Sequence, residues 1–182
     1  MRPILNILVA GILLICSASC SQEESKWNEF TSNEGGFTIN MPTPVKKTDR
    51  IVETPFGNQN VHFYSWQPPG YAIDKFVLFE ISYTNVPARI ANDSTLMQEA
   101  LDKSIEMRVK DFAETDVPAQ NIELNGYPGR AFIYNEAKGS SLVIVKQCIV
   151  NGKRYDLTVV AKKNYGTNKE ISDFFNSFQS LR

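Results

Sequence analysis

The order of the predicted strands and helices is the feature that most constrains the fold of this chain. Alternating apolar and polar residues predict two groups of β-strands, and one long segment with a helical period separates the groups. A second helix is predicted at the end of the chain. Strands that come in consecutive groups, instead of alternating with helices, favour an α+β domain with a mostly antiparallel sheet covered by helices.

The helical segment between the two groups spans residues 93–113. Its apolar residues recur every three or four positions, at Met97, Leu101, Ile105, Val109 and Phe112. Either Thr95, with Gln98 three residues later, or Asp93 is suited to cap its first turn. The spacing therefore predicts an amphipathic helix long enough to lie across a sheet.

The strands are predicted on both sides of this helix. The predicted ranges are 37–41, 45–54, 60–66 and 75–86 before it, and 121–124, 130–135, 141–150 and 153–161 after it. Asn125-Gly126 and Asn151-Gly152 are typical of two-residue hairpin turns. In the last strand, Arg154, Asp156 and Thr158 are predicted to point outward.

The C-terminal helix is predicted to start at a capping box formed by Thr167 and Glu170. One apolar stripe follows it and is predicted to face the sheet: Ile171, Phe174, Phe175, Phe178 and Leu181.

The first 20 residues have the pattern of a bacterial lipoprotein precursor. Arg2 supplies a positive charge, residues 4–15 are almost wholly apolar, and small residues lead to Cys20. The apolar stretch is shorter than the ~20 residues that a spanning helix needs. Residues 17–20, Ser-Ala-Ser-Cys, resemble a lipobox, although Ser17 stands where Leu is usual. We predict that residues 1–19 are removed and that Cys20 carries the lipid; an uncleaved membrane helix or a secreted protein cleaved nearby are the alternatives.

The residues after Cys20 bear on location. Ser21, where Asp would favour the inner membrane, predicts sorting to the outer membrane. Glu23-Glu24 is similar to the acidic tag of surface-exported lipoproteins. The alternative is that these residues form only a solvated tether. The sequence is therefore compatible with the periplasmic side and with the surface side of the outer membrane. The predicted organisation is a signal peptide at 1–19, a lipidated cysteine and tether at 20–36, and one domain at 37–182.

Composition excludes several classes of function. Lys and Arg number 19 and Asp and Glu 20, a balance that leaves no electrostatic footprint for nucleic acid. With Cys20 lipidated, Cys148 is the only free thiol after cleavage, so no intramolecular disulfide is expected. One histidine with one cysteine makes a zinc site improbable, and we expect neither metal nor cofactor.

Two groups of residues are candidates for a catalytic or metal-binding site. His62 and Cys148 suggest a base and a nucleophile, yet both fall in predicted strands without an activating loop, and we expect no enzyme. The carboxylates of the long helix, Glu99, Asp102 and Glu106, share spacing that suits a cation, but neighbouring basic residues favour a solvated face.

The aromatic residues at the end of one strand are the most distinctive surface prediction. Tyr64, Trp66 and Tyr71 flank the rigid Pro68-Pro69-Gly70 loop, and aromatic groups with polar edges suit a protein or ligand contact. The alternative is that a helix covers them. A small-molecule or lipid pocket between sheet and helix is the second functional hypothesis; its predicted lining is Tyr64, Phe79, Tyr83 and Phe112.

Two stretches of the chain resemble the PsbP-like family. The first is Trp27…Phe30 followed by Gly36-Phe37-Thr38-Ile39 and a strand-ending Pro42, and the second joins Tyr155–Val160 to Phe174–Phe178. The resemblance implies an α/β/α sandwich around an antiparallel sheet, in a fold shared by photosystem extrinsic subunits, a nuclear Ran-binding release factor and bacterial lipoproteins. We therefore expect a membrane-anchored lipoprotein that acts as a non-catalytic accessory or assembly factor and binds a protein partner.

Overall fold

The computed structural model of the chain describes residues 26–69, 75–110, 117–136 and 139–181. The strands within these ranges are β1 (Trp27–Ser32), β2 (Phe37–Pro42), β3 (Lys46–Thr54), β4 (Gly57–Trp66), β5 (Phe76–Asn85), β6 (Gln120–Leu124), β7 (Tyr127–Asn135), β8 (Ser141–Val150), β9 (Lys153–Lys162) and β10 (Gln179–Ser180). The helices are α1 (Ala88–Ala91), α2 (Ser94–Val109) and α3 (Lys169–Asn176), and a 3-10 turn covers Lys163–Tyr165.

The strands form two antiparallel sheets. The large sheet has seven strands in the order β3-β4-β5-β9-β8-β7-β6, and the small sheet has three in the order β1-β2-β10. Every neighbouring pair is antiparallel. The predicted α+β class with a mostly antiparallel sheet is confirmed.

The small sheet and α3 together cover one face of the large sheet. Phe37 of β2 is fully buried, and its ring centroid lies 5.6 Å from Tyr64 of β4 and 6.0 Å from Tyr155 of β9. Phe174 of α3 meets Phe79 of β5 at 5.3 Å in a T-shaped contact. The main core therefore lies between these two layers and consists largely of aromatic rings.

Helix α2 covers part of the opposite face. It packs over β7 and β8, where Ile105 and Val109 contact Phe132 and Val145. Asp93 caps the helix, because its carboxylate accepts hydrogen bonds from the backbone N–H groups of Thr95 and Leu96. Of the two predicted caps, Asp93 is therefore the one used.

The folded domain starts earlier than the predicted boundary at residue 37. Trp27–Ser32 forms β1, which pairs with β2 along its whole length, so the predicted tether at 20–36 contains a strand. The Trp27 ring also lies 5.1 Å from the Phe79 ring. Strand pairing and ring packing both order these residues.

The C-terminal helix is shorter than predicted. Asn168, not Thr167, caps α3, and the helix ends at Asn176. Phe178 is fully buried but lies beyond the helix, next to β10, which pairs with β2. The helical stripe predicted through Leu181 is therefore wrong after Phe175, because the chain turns to add a strand to the small sheet.

A bulge and two tight turns set the register of the large sheet. The pairing of β5 with β9 shifts between Phe76 and Leu78, and Phe76 packs against Phe79 in the main core, although strict alternation would place these two residues on opposite faces. Asn125 and Asn151 have φ of 51° and the glycines after them φ of 85° and 71°. The predicted Asn-Gly hairpin turns are confirmed.

Helix length also bears on membrane association. Within the described residues, no helix is both long and apolar enough to cross a bilayer.

Truncating the aromatic core should be costly. Phe174→Ala and Phe178→Ala each remove a fully buried ring, and each should lower the free energy of unfolding by about 3–5 kcal/mol. Urea denaturation of the full chain measures this. Ile51→Ala is the control: the side chain is 72% exposed, and its loss should change stability by less than about 0.5 kcal/mol. Equal effects at all three positions would contradict this packing.

Candidate functional site

The aromatic residues predicted to form an exposed contact surface are buried instead. Tyr64 is 6% and Trp66 8% exposed. The Phe30 ring lies 5.1 Å from the Tyr64 ring, and the Ser32 hydroxyl donates a hydrogen bond to the Tyr64 hydroxyl at 3.0 Å. The prediction of an exposed surface is wrong for these two residues because the small sheet covers them. Tyr71, the third member, lies outside the described residues.

The small-molecule pocket predicted on that same face is not formed by the residues expected. Phe79 and Tyr83 are buried in the main core together with Tyr64. Close ring packing leaves these side chains as structural members of the core. Phe112, the fourth predicted lining residue, lies outside the described residues.

His62 and Cys148 are too far apart to act as a base and a nucleophile. The strand register places them in one row, His62 opposite Tyr83, Tyr83 opposite Tyr155, and Tyr155 opposite Cys148. Three inter-strand spacings therefore separate them, roughly 14 Å. Burial raises the pKa of the Cys148 thiol to about 12, so the thiolate needed for nucleophilic attack is disfavoured.

The α2 carboxylates are engaged in separate ion pairs. Asp102 Oδ1 lies 2.6 Å from Nε of Arg130, and Glu106 Oε2 lies 2.7 Å from Nζ of Lys103. Among the described residues, no group of three His, Cys, Asp or Glu side chains is placed to hold a metal ion. These carboxylates form a charged helix surface.

A cavity of about 390 Å³ lies on the other face of the large sheet, beneath α2. Helix α2 forms one wall and the β3–β4 hairpin forms the opposite wall, while β5 and β9 form the floor. The helix sits over β7 and β8, so it leaves the middle of the sheet partly uncovered. The uncovered strands carry polar side chains on this face.

The floor of the cavity contains a buried ion pair. Arg154 and Asp156, two residues apart on β9, are each 7% exposed, and Nη2 of Arg154 donates to Oδ2 of Asp156 at 2.9 Å. Nε and Nη1 of Arg154 and Oδ1 of Asp156 are buried without a hydrogen-bond partner among the described residues. Buried polar groups in folded proteins are almost always paired with protein, water or ligand, so these three atoms have the capacity to bind a molecule in the cavity.

Hydrogen bonds hold the α2 wall in place. The Ser104 hydroxyl lies 2.7 Å from Oε1 of Gln147, and Nε2 of Gln147 donates to the Leu101 carbonyl at 2.8 Å. One turn further, Arg108 donates to the Tyr134 hydroxyl and to the Thr158 hydroxyl at 3.2 and 3.0 Å. The guanidinium of Arg108 is therefore fixed at the edge of the cavity.

Charges around the cavity are balanced. Its lining includes three basic side chains and three acidic ones: Arg108, Lys110, Arg154, Glu53, Glu80 and Asp156. Burial raises the pKa of the Glu80 carboxyl, and the negative charge of Asp156 adds to this effect, while Arg108 and Arg50 oppose it. Lys110 and Glu53 face each other across the rim, with Nζ and Oε2 3.5 Å apart.

The rest of the lining is apolar apart from Ser82, Ser104 and Gln147. The apolar side chains come from the β3–β4 hairpin and α2, and they are Val52, Pro55, Val61, Phe63 and Met107. Arg50 lies over the ring of Phe63, with its guanidinium carbon 5.3 Å from the ring centroid. Polar groups that converge on a concave surface beside apolar side chains are typical of small-molecule sites.

Sequence reasoning placed Arg154 and Asp156 on the correct face of β9 but expected solvent there. The expected outward direction is wrong, because α2 and the β3–β4 hairpin rise on both sides and bury the pair. The signal in the sequence is the start of the strand at 75–86, where apolar residues lie on both faces, as is typical of a central strand covered on two sides. A neighbouring central strand with charges on its second face implies a buried polar site.

Comparison with known proteins bears on the fold. No protein-family model matches the chain, and no curated protein does. The solution structure of cyanobacterial PsbP (CyanoP) from Synechocystis sp. PCC 6803 matches with a TM-score of 0.57, over 91% of this chain and 99% of that one. This protein has a PsbP-like fold. The two sequences are 10% identical, so the similarity concerns the fold, as the PsbP-like resemblance of the sequence implied.

The buried ion pair gives a prediction about stability. Arg154→Ala leaves Asp156 buried without its partner and should lower the free energy of unfolding by about 3–5 kcal/mol. The double variant Arg154→Met/Asp156→Leu removes both charges at similar volume and should be about as stable as the wild type. Urea denaturation of both variants measures the difference. A double variant as unstable as the single one would mean that the pair is needed for folding.

Proposed function

We propose that this protein is a lipid-anchored, non-catalytic protein of the bacterial cell envelope that binds a small polar ligand in the cavity beneath α2. The observation that carries the proposal is the Arg154–Asp156 pair, which is nearly fully buried yet keeps donors and an acceptor without partners. The geometry supports a binding role because leaving such groups without partners is costly, and a ligand would remove that cost.

Binding accounts for the cavity better than catalysis does. The Ser104 hydroxyl bonds to Gln147 and to the Leu101 carbonyl. His62 lies on the opposite face of the sheet, where its ring stacks on Tyr83. An activated nucleophile needs a base within hydrogen-bond reach, and the described lining residues do not supply such a pair.

The anchoring part of the proposal rests on the N-terminal sequence. Cys20 lies outside the described residues, and only residues 21–26 separate it from β1. Six extended residues span roughly 20 Å at most. A lipid on Cys20 would therefore hold the domain close to the bilayer surface, at the outer membrane on its periplasmic or surface side.

An accessory protein that binds a protein partner is the second candidate. It is favoured by the PsbP-like fold, which this chain shares with CyanoP, a cyanobacterial PsbP protein. The residues proposed for that contact, Tyr64 and Trp66, are buried. A partner would therefore have to bind elsewhere, so this candidate comes second to the cavity.

Lipidation is tested by metabolic labelling with a palmitate analogue. The wild type should incorporate label, Cys20→Ala should lose it, and Cys16→Ala should retain it, because Cys16 follows the bulky Ile15 and is removed with the signal peptide. Mass spectrometry of the N-terminal peptide identifies the acylated residue. Label that persists in Cys20→Ala would contradict the assignment of the lipid to Cys20.

Ligand binding is tested with the full-length chain purified in detergent. A panel of amino acids, hydroxy acids, dicarboxylic acids, sugars and nucleosides is screened by saturation-transfer NMR. We expect at least one binder, which Arg154→Met/Asp156→Leu abolishes and the exposed control pair Lys169→Met/Asp173→Leu retains. Binding that survives loss of the buried pair would exclude this cavity, and a crosslinked protein partner without any binder would favour the accessory role.

A further inference from the structure

The chemistry of the cavity identifies the class of its ligand. We infer that the site takes a free α-amino acid with an apolar side chain, bound as a zwitterion. This inference rests on the proposed function, since it names the ligand of the same cavity. Three features of the lining lead to it: paired charges of opposite sign, a balanced overall charge and an apolar wall.

The first feature is the proximity of a donor group and an acceptor group. Arg154 presents Nε and Nη1, and Asp156 presents Oδ1, all buried and without partners among the described residues. The two side chains are joined by their own hydrogen bond, which keeps the guanidinium and the carboxylate adjacent. A ligand carboxylate can accept a hydrogen bond from one of these two nitrogens, and an ammonium group one carbon away can donate to Oδ1 of Asp156.

The second feature is the charge balance. Three basic and three acidic side chains line the cavity, so a ligand without net charge leaves the balance unchanged. A phosphate or dicarboxylate would bring two negative charges beside Asp156 and would be opposed by the charge of that carboxylate. A simple cation would be repelled by the positive charges of Arg108 and Arg154.

The third feature is the apolar wall opposite the polar floor. Val61, Phe63 and Met107 lie on the two sides of the cavity and provide contact for an aliphatic or aromatic side chain. The cavity volume of about 390 Å³ is near the lower limit for small-molecule sites. A single amino acid suits this size, whereas a longer peptide would extend past the rim formed by Lys110 and Glu53.

The arrangement is preorganised for this ligand. Arg154 and Asp156 hold each other by the 2.9 Å hydrogen bond. Hydrogen bonds from Arg108 to strands β7 and β9 fix its side chain at the edge of the cavity. Groups already held in place lose little conformational entropy when a ligand binds, so they favour affinity and selectivity.

The test compares molecules that differ in one charge. The probes are L-leucine, L-methionine and L-phenylalanine, together with N-acetyl-L-phenylalanine, which lacks the ammonium, and L-phenylalaninamide, which lacks the carboxylate. Isothermal titration with the full-length chain should give binding of at least one free amino acid. Each phenylalanine analogue should bind at least about tenfold more weakly than phenylalanine itself, because one buried partner is lost.

A variant assigns the ammonium contact to Asp156. Asp156→Asn keeps the shape of the side chain and removes its charge, so phenylalanine should lose its advantage over the N-acetyl analogue. If this variant unfolds, Arg154→Met/Asp156→Leu replaces it and should abolish binding of every probe. The exposed pair variant Lys169→Met/Asp173→Leu should bind as the wild type does.

The outcomes separate the ligand class from the proposed function. A binder from the wider panel without any amino acid binding would overturn the zwitterion inference and leave the cavity as a ligand site. Equal binding of phenylalanine and its two analogues would also overturn it. No binder of any class would overturn the proposed function itself, and the inference with it.

Discussion

Burial of both faces of the central strands β5 and β9 is the constraint on which the rest of the structure depends. On one face Phe79 and Tyr155 join an aromatic core that the small sheet and α3 close. On the other face the same strands carry Glu80, Arg154 and Asp156. Charged groups cannot be covered by apolar side chains without large desolvation costs, so this face stays open as a cavity.

The two faces have different consequences for function. The aromatic face stabilises the fold, and its rings are too tightly packed to contact other molecules. The polar face holds an ion pair that adds little stability in itself, because a hydrophobic replacement of similar volume is often as stable. Residues that do not improve stability, yet occupy the centre of a sheet beneath a helix, are better explained by binding. The buried positions of Arg154 and Asp156 are therefore better explained by ligand binding than by stability.

Local sequence patterns were sufficient to predict most strands and helices. They were insufficient to predict which elements pack over each face of the sheet. The Asn-Gly turns, the strand pattern and the 3.6-residue period of α2 are short-range properties, and they predicted the α+β class. The prediction that Tyr64 and Trp66 are exposed failed because β1 and β2 pair with each other and then pack across the large sheet. Strand β10 was not predicted, because a strand of two residues has no detectable alternation of apolar and polar side chains.

The sequence by itself determined which residues alternate along each strand, where the turns fall and which helix faces are apolar, because neighbouring residues set these properties. It also determined the lipobox-like segment before Cys20. Only the tertiary structure decided what covers each face of the large sheet. The aromatic residues became core and the outward charges of β9 became the floor of a cavity, since burial depends on residues distant in the sequence. Phe37 packs over Tyr155, and the Leu101 carbonyl accepts a hydrogen bond from Gln147.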